Sequence, residues 1–109
     1  MKRKRNVHLG KIYRIEDGSN YAHPGMPYKA YRKKRKYDVI KFTKSKTKAF
    51  KLEENINPNS IEPCYVRKRP KRVGDNYIGQ EYPNYKLSNF KDKQTIKKIK
   101  RKNIKIWNK

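Results

Sequence analysis

Thirty-two lysines and arginines stand against nine aspartates and glutamates in this 109-residue chain, a formal charge of +23 at pH 7. Like charges confined to a small surface repel one another, so whatever fold forms must spread this excess and is favoured when a polyanion neutralises it. Low hydrophobic content, here 33%, combined with high net charge is also the signature of chains that do not fold alone. The aromatic and β-branched content opposes that outcome. Nine Tyr, three Phe, one Trp and ten Ile are more than a solvated polybasic arm carries. The expectation is one marginal domain whose thermal midpoint rises with polyanion or sulfate, residues 1–88 forming its body and residues 89–109 a basic helix and tail.

The same composition excludes several classes. No stretch approaches the roughly 18 apolar residues of a membrane span, so no membrane partner is expected. Residues 1–5 are basic, but residues 6–16 supply no apolar segment behind them, so export is not expected and a cytoplasmic location is. Cys64 is the single cysteine; with His8 and His23 it makes neither a disulfide nor a four-ligand zinc site. No metal or other cofactor is implied.

Along the chain, residues 7–15 alternate as a strand with a bulge at Gly10, and turn-forming residues 16–20 end it. Residues 23–27, His-Pro-Gly-Met-Pro, predict a rigid loop because proline lacks a donor and restricts its neighbour. Residues 28–32 and 36–43 follow as two strands, with Lys33, Lys34 and Arg35 as a hairpin connection. In the second strand Asp38, Ile40 and Phe42 share one face, and Tyr37, Val39, Lys41 and Thr43 the other. Residues 47–52 and 64–66 are further short strands, separated by the Asn/Pro-rich turn 55–60. Residues 75–85 read as a long ordered loop. Asn89 caps a helix over residues 90–102, with Asp92 three residues on and Phe90, Ile96 and Ile99 as its apolar stripe; residues 104–107 form an edge strand or a tail. The expected class is mainly β (α+β), a small open barrel closed by a basic C-terminal helix.

Basic runs lie beside aromatic residues throughout. Arg32, Lys33, Lys34 and Arg35 follow Tyr31; Lys46 belongs to a ladder with Lys41, Lys44, Lys48 and Lys51; Arg67, Lys68, Arg69, Lys71 and Arg72 follow Tyr65; Lys97, Lys98 and Arg101 lie in the helix. Cations that hold phosphates, interleaved with rings that stack bases, are what RNA or single-stranded nucleic acid requires. Six phosphate contacts would give a log affinity against log salt slope near about −5. The chain has no P-loop, dinucleotide fingerprint, zinc-protease helix or nucleophile elbow. Its carboxylates at 16, 17, 53, 54 and 62 sit in turn-like segments, where they solubilise loops, and Cys64 reads as a small buried hydrophobe.

Leu9-Gly10-Lys11-Ile12-Tyr13, the His23-Pro24 pair, the hairpin and the strand ending Thr43-Lys44-Ser45 resemble the MazF/PemK-like toxins. Residues 55–59 and 64–66 are similar to the loop and strand beyond, so the likeness spans roughly residues 9–66. The resemblance implies an SH3-like barrel that cleaves single-stranded RNA without metal, from a mobile element, with an acidic antitoxin as protein partner. In that family an Arg before Pro and a Thr at the strand end carry catalysis, which by resemblance places those roles on His23 and Thr43. Metal-free cleavage needs a base for the ribose 2′-hydroxyl and charge for the phosphorane; on this likeness His23 is the base, and Lys44 or Arg32 with the Thr43 hydroxyl stabilises the phosphate. The alternatives are a non-catalytic phage, plasmid or ribosome-associated binder, or an inhibitor occupying the nucleic-acid groove of another protein–RNA complex.

Overall fold

The structure is a computed structural model that describes residues 7–16 and 22–107. Seven strands, β1 (Tyr13–Ile15), β2 (His23–Tyr31), β3 (Lys36–Thr43), β4 (Ala49–Lys51), β5 (Tyr65–Arg67), β6 (Lys71–Gly74) and β7 (Ile78–Glu81), precede one helix, α1 (Phe90–Trp107). Each strand pair described is antiparallel, and the path through the sheet is β4-β5-β3-β2-β1-β7. The fold is therefore mainly β, an open antiparallel sheet with a C-terminal helix.

The sheet is organised around β3, whose alternating residues are buried on both faces. Ile40 and Phe42 join a core with Ile12, Met26, Leu52, Ile56, Cys64 and Val66, against which Ile96 and Ile99 of α1 pack. Val39 points the other way, into a cluster with Tyr13, Ile15, Val73 and Ile78. One edge of β3 pairs with β2; the other pairs first with β6, at Lys36 to Val39, and then with β5, at Phe42 and Thr43. The strand is shared by two ladders.

Several local expectations are corrected. Residues 23–27 are strand, not loop. The carbonyl of Pro27 accepts from Gly10 N at 2.8 Å, and in an antiparallel strand the amide of a residue points the same way as its carbonyl. The missing donor therefore faces away from β3, and the pair Pro27–Val39 loses no ladder bond. The ladder shifts register just after it, between Pro27 and Lys29. Gly10 lies in a turn at φ 92° rather than in a bulged strand, so β1 begins only at Tyr13. Residues 78–81 are β7, paired with β1, where a long loop was expected. The turn over residues 16–20 lies outside the described residues after Glu16, as does the basic segment 1–5.

At the helix start, Asn89 Oδ1 accepts from Asp92 N at 3.2 Å, the expected cap. Asp92 does more than complement the helix dipole: its two carboxylate oxygens accept from Glu53 N at 2.7 Å and Glu54 N at 3.1 Å, tying α1 to the loop after β4. Phe90, expected on the apolar stripe, is 72% exposed. Helix continues through residues 104–107, where an edge strand or tail was expected.

Gly25 is required by packing. A Cβ there would lie 2.5 Å from Ile15 Cγ1 and 2.6 Å from Val39 Cγ1, both fully buried and β-branched. Gly25→Ala should cost about 1–3 kcal/mol of stability through overpacking, seen as a lower midpoint in thermal or urea unfolding. An unchanged midpoint would mean the sheet yields at this crossing.

Candidate nucleic-acid interface

The pairing of β3 with β6 joins two basic runs that are more than thirty residues apart in the chain. Its register sets Lys36 opposite Gly74, Asp38 opposite Arg72 and Val39 opposite Lys71. The result is a groove of about 730 Å³ whose lining includes Lys34, Arg35, Lys36, Lys71 and Arg72, with Asp75, Asn76 and Tyr77. Five cations and one carboxylate line it.

Backbone geometry fixes the groove's ends. The hairpin tip is a single 3-10 turn, Arg32–Lys34, closed by Arg35 in the left-handed region at φ 51°. An arginine held there costs about 1 kcal/mol. Its carbonyl accepts from Asp75 N at 2.8 Å, which anchors the tip to a second 3-10 turn, Asp75–Tyr77. Tyr77 O in turn accepts from Glu16 N at 2.8 Å.

At the groove edge a polar cluster forms around one buried carboxylate. Asp38 is fully buried; Arg72 Nε donates to its Oδ1 at 3.0 Å and the Tyr31 hydroxyl to its Oδ2 at 2.7 Å. Arg72 Nη2 also donates to Tyr31 Oη at 2.9 Å, and its guanidinium lies 4.1 Å from the Tyr31 ring centre. The hydrogen bond from Arg72 to Asp38 holds the guanidinium pKa above its ordinary value. On the helix side, the Tyr28 phenol is buried with no hydrogen-bond partner among the described residues. Burial, then the charge of Asp38, pushes its pKa well up. Lys100 Nζ sits 5.7 Å from the Tyr28 ring centre, and burial lowers its pKa. Asp38 thus holds Arg72 and Tyr31 in one fixed arrangement at the groove edge.

Other expected binding residues lie elsewhere. Arg32 and Lys33 are exposed on the hairpin turn. Arg67 Nη1 donates to Thr47 O at 3.2 Å, and Lys68 Nζ lies 4.9 Å from the Phe50 ring centre, so this part of the fourth basic run follows β4 and β5. Lys46 and Arg69 are exposed in loops, and Lys97, Lys98 and Arg101 are exposed on α1. They extend a basic surface without lining the groove.

Thr43 and Lys44 border a smaller cavity of about 230 Å³ with Pro24, Asn55, Ser60, Glu62 and Cys64. The Thr43 hydroxyl accepts from Ser45 N at 3.1 Å. Lys44 Nζ is 2.9 Å from Glu62, whose hydrogen bond raises the lysine pKa and favours its charged form. The last β2–β3 pair is Gly25–Lys41; His23 pairs with Ile15 at the start of β2, and it is Pro24, not His23, that lines this cavity. Burial raises the Cys64 pKa, as suits a small core residue. Among the described residues no group of His, Cys, Asp or Glu could hold a metal.

No family model, curated protein or solved structure matches this chain. Among the described residues, no helix is long and apolar enough to cross a membrane.

Asp38 and Tyr77 were not among the residues that the sequence singled out for binding. A signal existed for Asp38: a carboxylate on the same strand face as Ile40 and Phe42 must be buried, and a buried carboxylate needs a cationic partner.

Proposed function

We propose that this chain binds RNA or another single-stranded nucleic acid along the groove between the β2–β3 hairpin tip and β6. The observation that carries this is the convergence of Lys34, Arg35, Lys36, Lys71 and Arg72 on one anchored groove in a chain of charge +23. Phosphate neutralisation releases counterions, so five contacts on a single strand give a log affinity against log salt slope near about −3.5. Titrating the full chain into a labelled single-stranded oligonucleotide from 50 to 200 mM salt measures that slope. A slope near zero would remove the electrostatic basis of the reading.

A second reading is a metal-independent endoribonuclease of MazF/PemK-like type, an SH3-like barrel whose acidic antitoxin covers the basic surface. What favours it is the cavity shared by Pro24, Thr43 and Lys44, next to His23 in the chain. Incubation with single-stranded RNA in EDTA tests it. Cleavage lost in His23→Ala and Thr43→Ala supports the nuclease; intact RNA with binding retained leaves the chain as a binding module.

A further inference from the structure

We infer that the groove selects single strands by stacking one base on the ring of Tyr77, with neighbouring phosphates on Lys34, Arg35, Lys71 and Arg72; this rests on the nucleic-acid reading above. Tyr77 is 46% exposed, lines the groove, and belongs to neither hydrophobic cluster. Its backbone is nevertheless fixed, through Tyr77 O to Glu16 N and through Asp75 N to Arg35 O, each at 2.8 Å. A Cβ on Gly74 would come within 3.6 Å of Tyr77 Cδ2, so the ring edge lies over the glycine in the groove lining. A large ring, half exposed on an anchored backbone among five cations, contributes little to the core. It is placed as a stacking platform is placed.

Five other aromatic rings near the basic surface already carry a face contact, although Phe50 is still 42% exposed, and Phe90, 72% exposed, lies on α1 outside the groove. Tyr31 carries the Arg72 guanidinium at 4.1 Å, Phe50 has Lys68 at 4.9 Å, Tyr28 has Lys100 at 5.7 Å, and Tyr82 and Tyr85 stack on each other at 4.5 Å. Tyr31, expected to stack a base, instead braces Arg72. Bases in a duplex are already stacked and paired and offer no free face, whereas a single strand can turn one out onto the ring.

The test uses the full chain, fluorescence anisotropy, and three probes of equal length: an oligouridylate, an abasic oligomer and an RNA duplex. The wild-type chain should prefer the oligouridylate to the abasic oligomer and to the duplex. Tyr77→Ala should weaken oligouridylate binding about 10-fold while leaving abasic binding and the salt slope unchanged, and Tyr77→Phe should restore the affinity. Equal loss on the oligouridylate and the abasic oligomer, or no loss on either, would overturn the stacking role with nucleic-acid binding intact. Failure of the wild-type chain to bind any probe at low salt would instead overturn the nucleic-acid reading itself.

Discussion

Arg72→Ala should cost the fold about 3–5 kcal/mol, because it strips the cationic partner from a buried carboxylate. Asp38 is 0% exposed and has two side-chain partners in the structure, Arg72 and the Tyr31 hydroxyl. For a chain of this size the loss corresponds to a fall of roughly 15–30 °C in thermal midpoint. The pair is asymmetric. The Arg72 side chain is 41% exposed, so in Asp38→Ala the guanidinium is solvated and the damage is smaller. Asp38→Asn added to Arg72→Ala should recover part of the loss, since a neutral amide is cheaper to bury than an unpaired charge. The double-mutant cycle is the measurement. Were Arg72→Ala within about 0.5 kcal/mol of wild type, in the range of ordinary surface substitutions, the cluster would be ornamental.

The folding class was legible because it depends on periodicity. The alternation of Asp38, Ile40 and Phe42 against Tyr37, Val39 and Lys41 marks a strand that is buried on both faces, which is how β3 stands between the two core clusters. The helix was legible through its Asn89 cap and the spacing of Ile96 and Ile99. Residues 23–27 were not, because a proline's effect depends on which edge of the strand its nitrogen faces, and that is set by Gly10 and β3 rather than by the local sequence. For the same reason β7 was missed: Gly79 and Gln80 are poor strand formers, held there by pairing with β1.

The candidate groove shows the same division. Its cations are visible as two runs in the sequence, but nothing local says that Lys71 will lie beside Val39, or that Arg35 will be tied to Asp75. Those are consequences of register. Charge density was readable; its convergence needed the sheet. The helix cations Lys97, Lys98 and Arg101 look equivalent to the groove cations in sequence, yet they sit outside it.

Neutralising Lys34, Arg35 and Lys71 together to Gln should weaken binding of a single-stranded oligonucleotide by on the order of 10²- to 10³-fold at 50 mM salt. Each single-strand phosphate contact releases about 0.7 counterion, which at 50 mM is worth about 8-fold in affinity and at 200 mM about 3-fold. The triple variant should therefore lie about 500-fold below wild type at the lower salt and only about 30-fold below it at the higher, its slope shallower by about 2. The same number of charges removed as Lys97→Gln, Lys98→Gln and Arg101→Gln serves as the comparison, since both triples lower the net charge from +23 to +20. If binding followed net charge alone, the two variants would coincide. A groove that contacts phosphates directly should keep the helix variant within several-fold of wild type and its slope nearly unchanged. Both variants should also melt at or above the wild-type temperature without ligand, because each relieves self-repulsion without opening the core. The loss of affinity in the groove variant then belongs to the lost contacts and not to a lost fold.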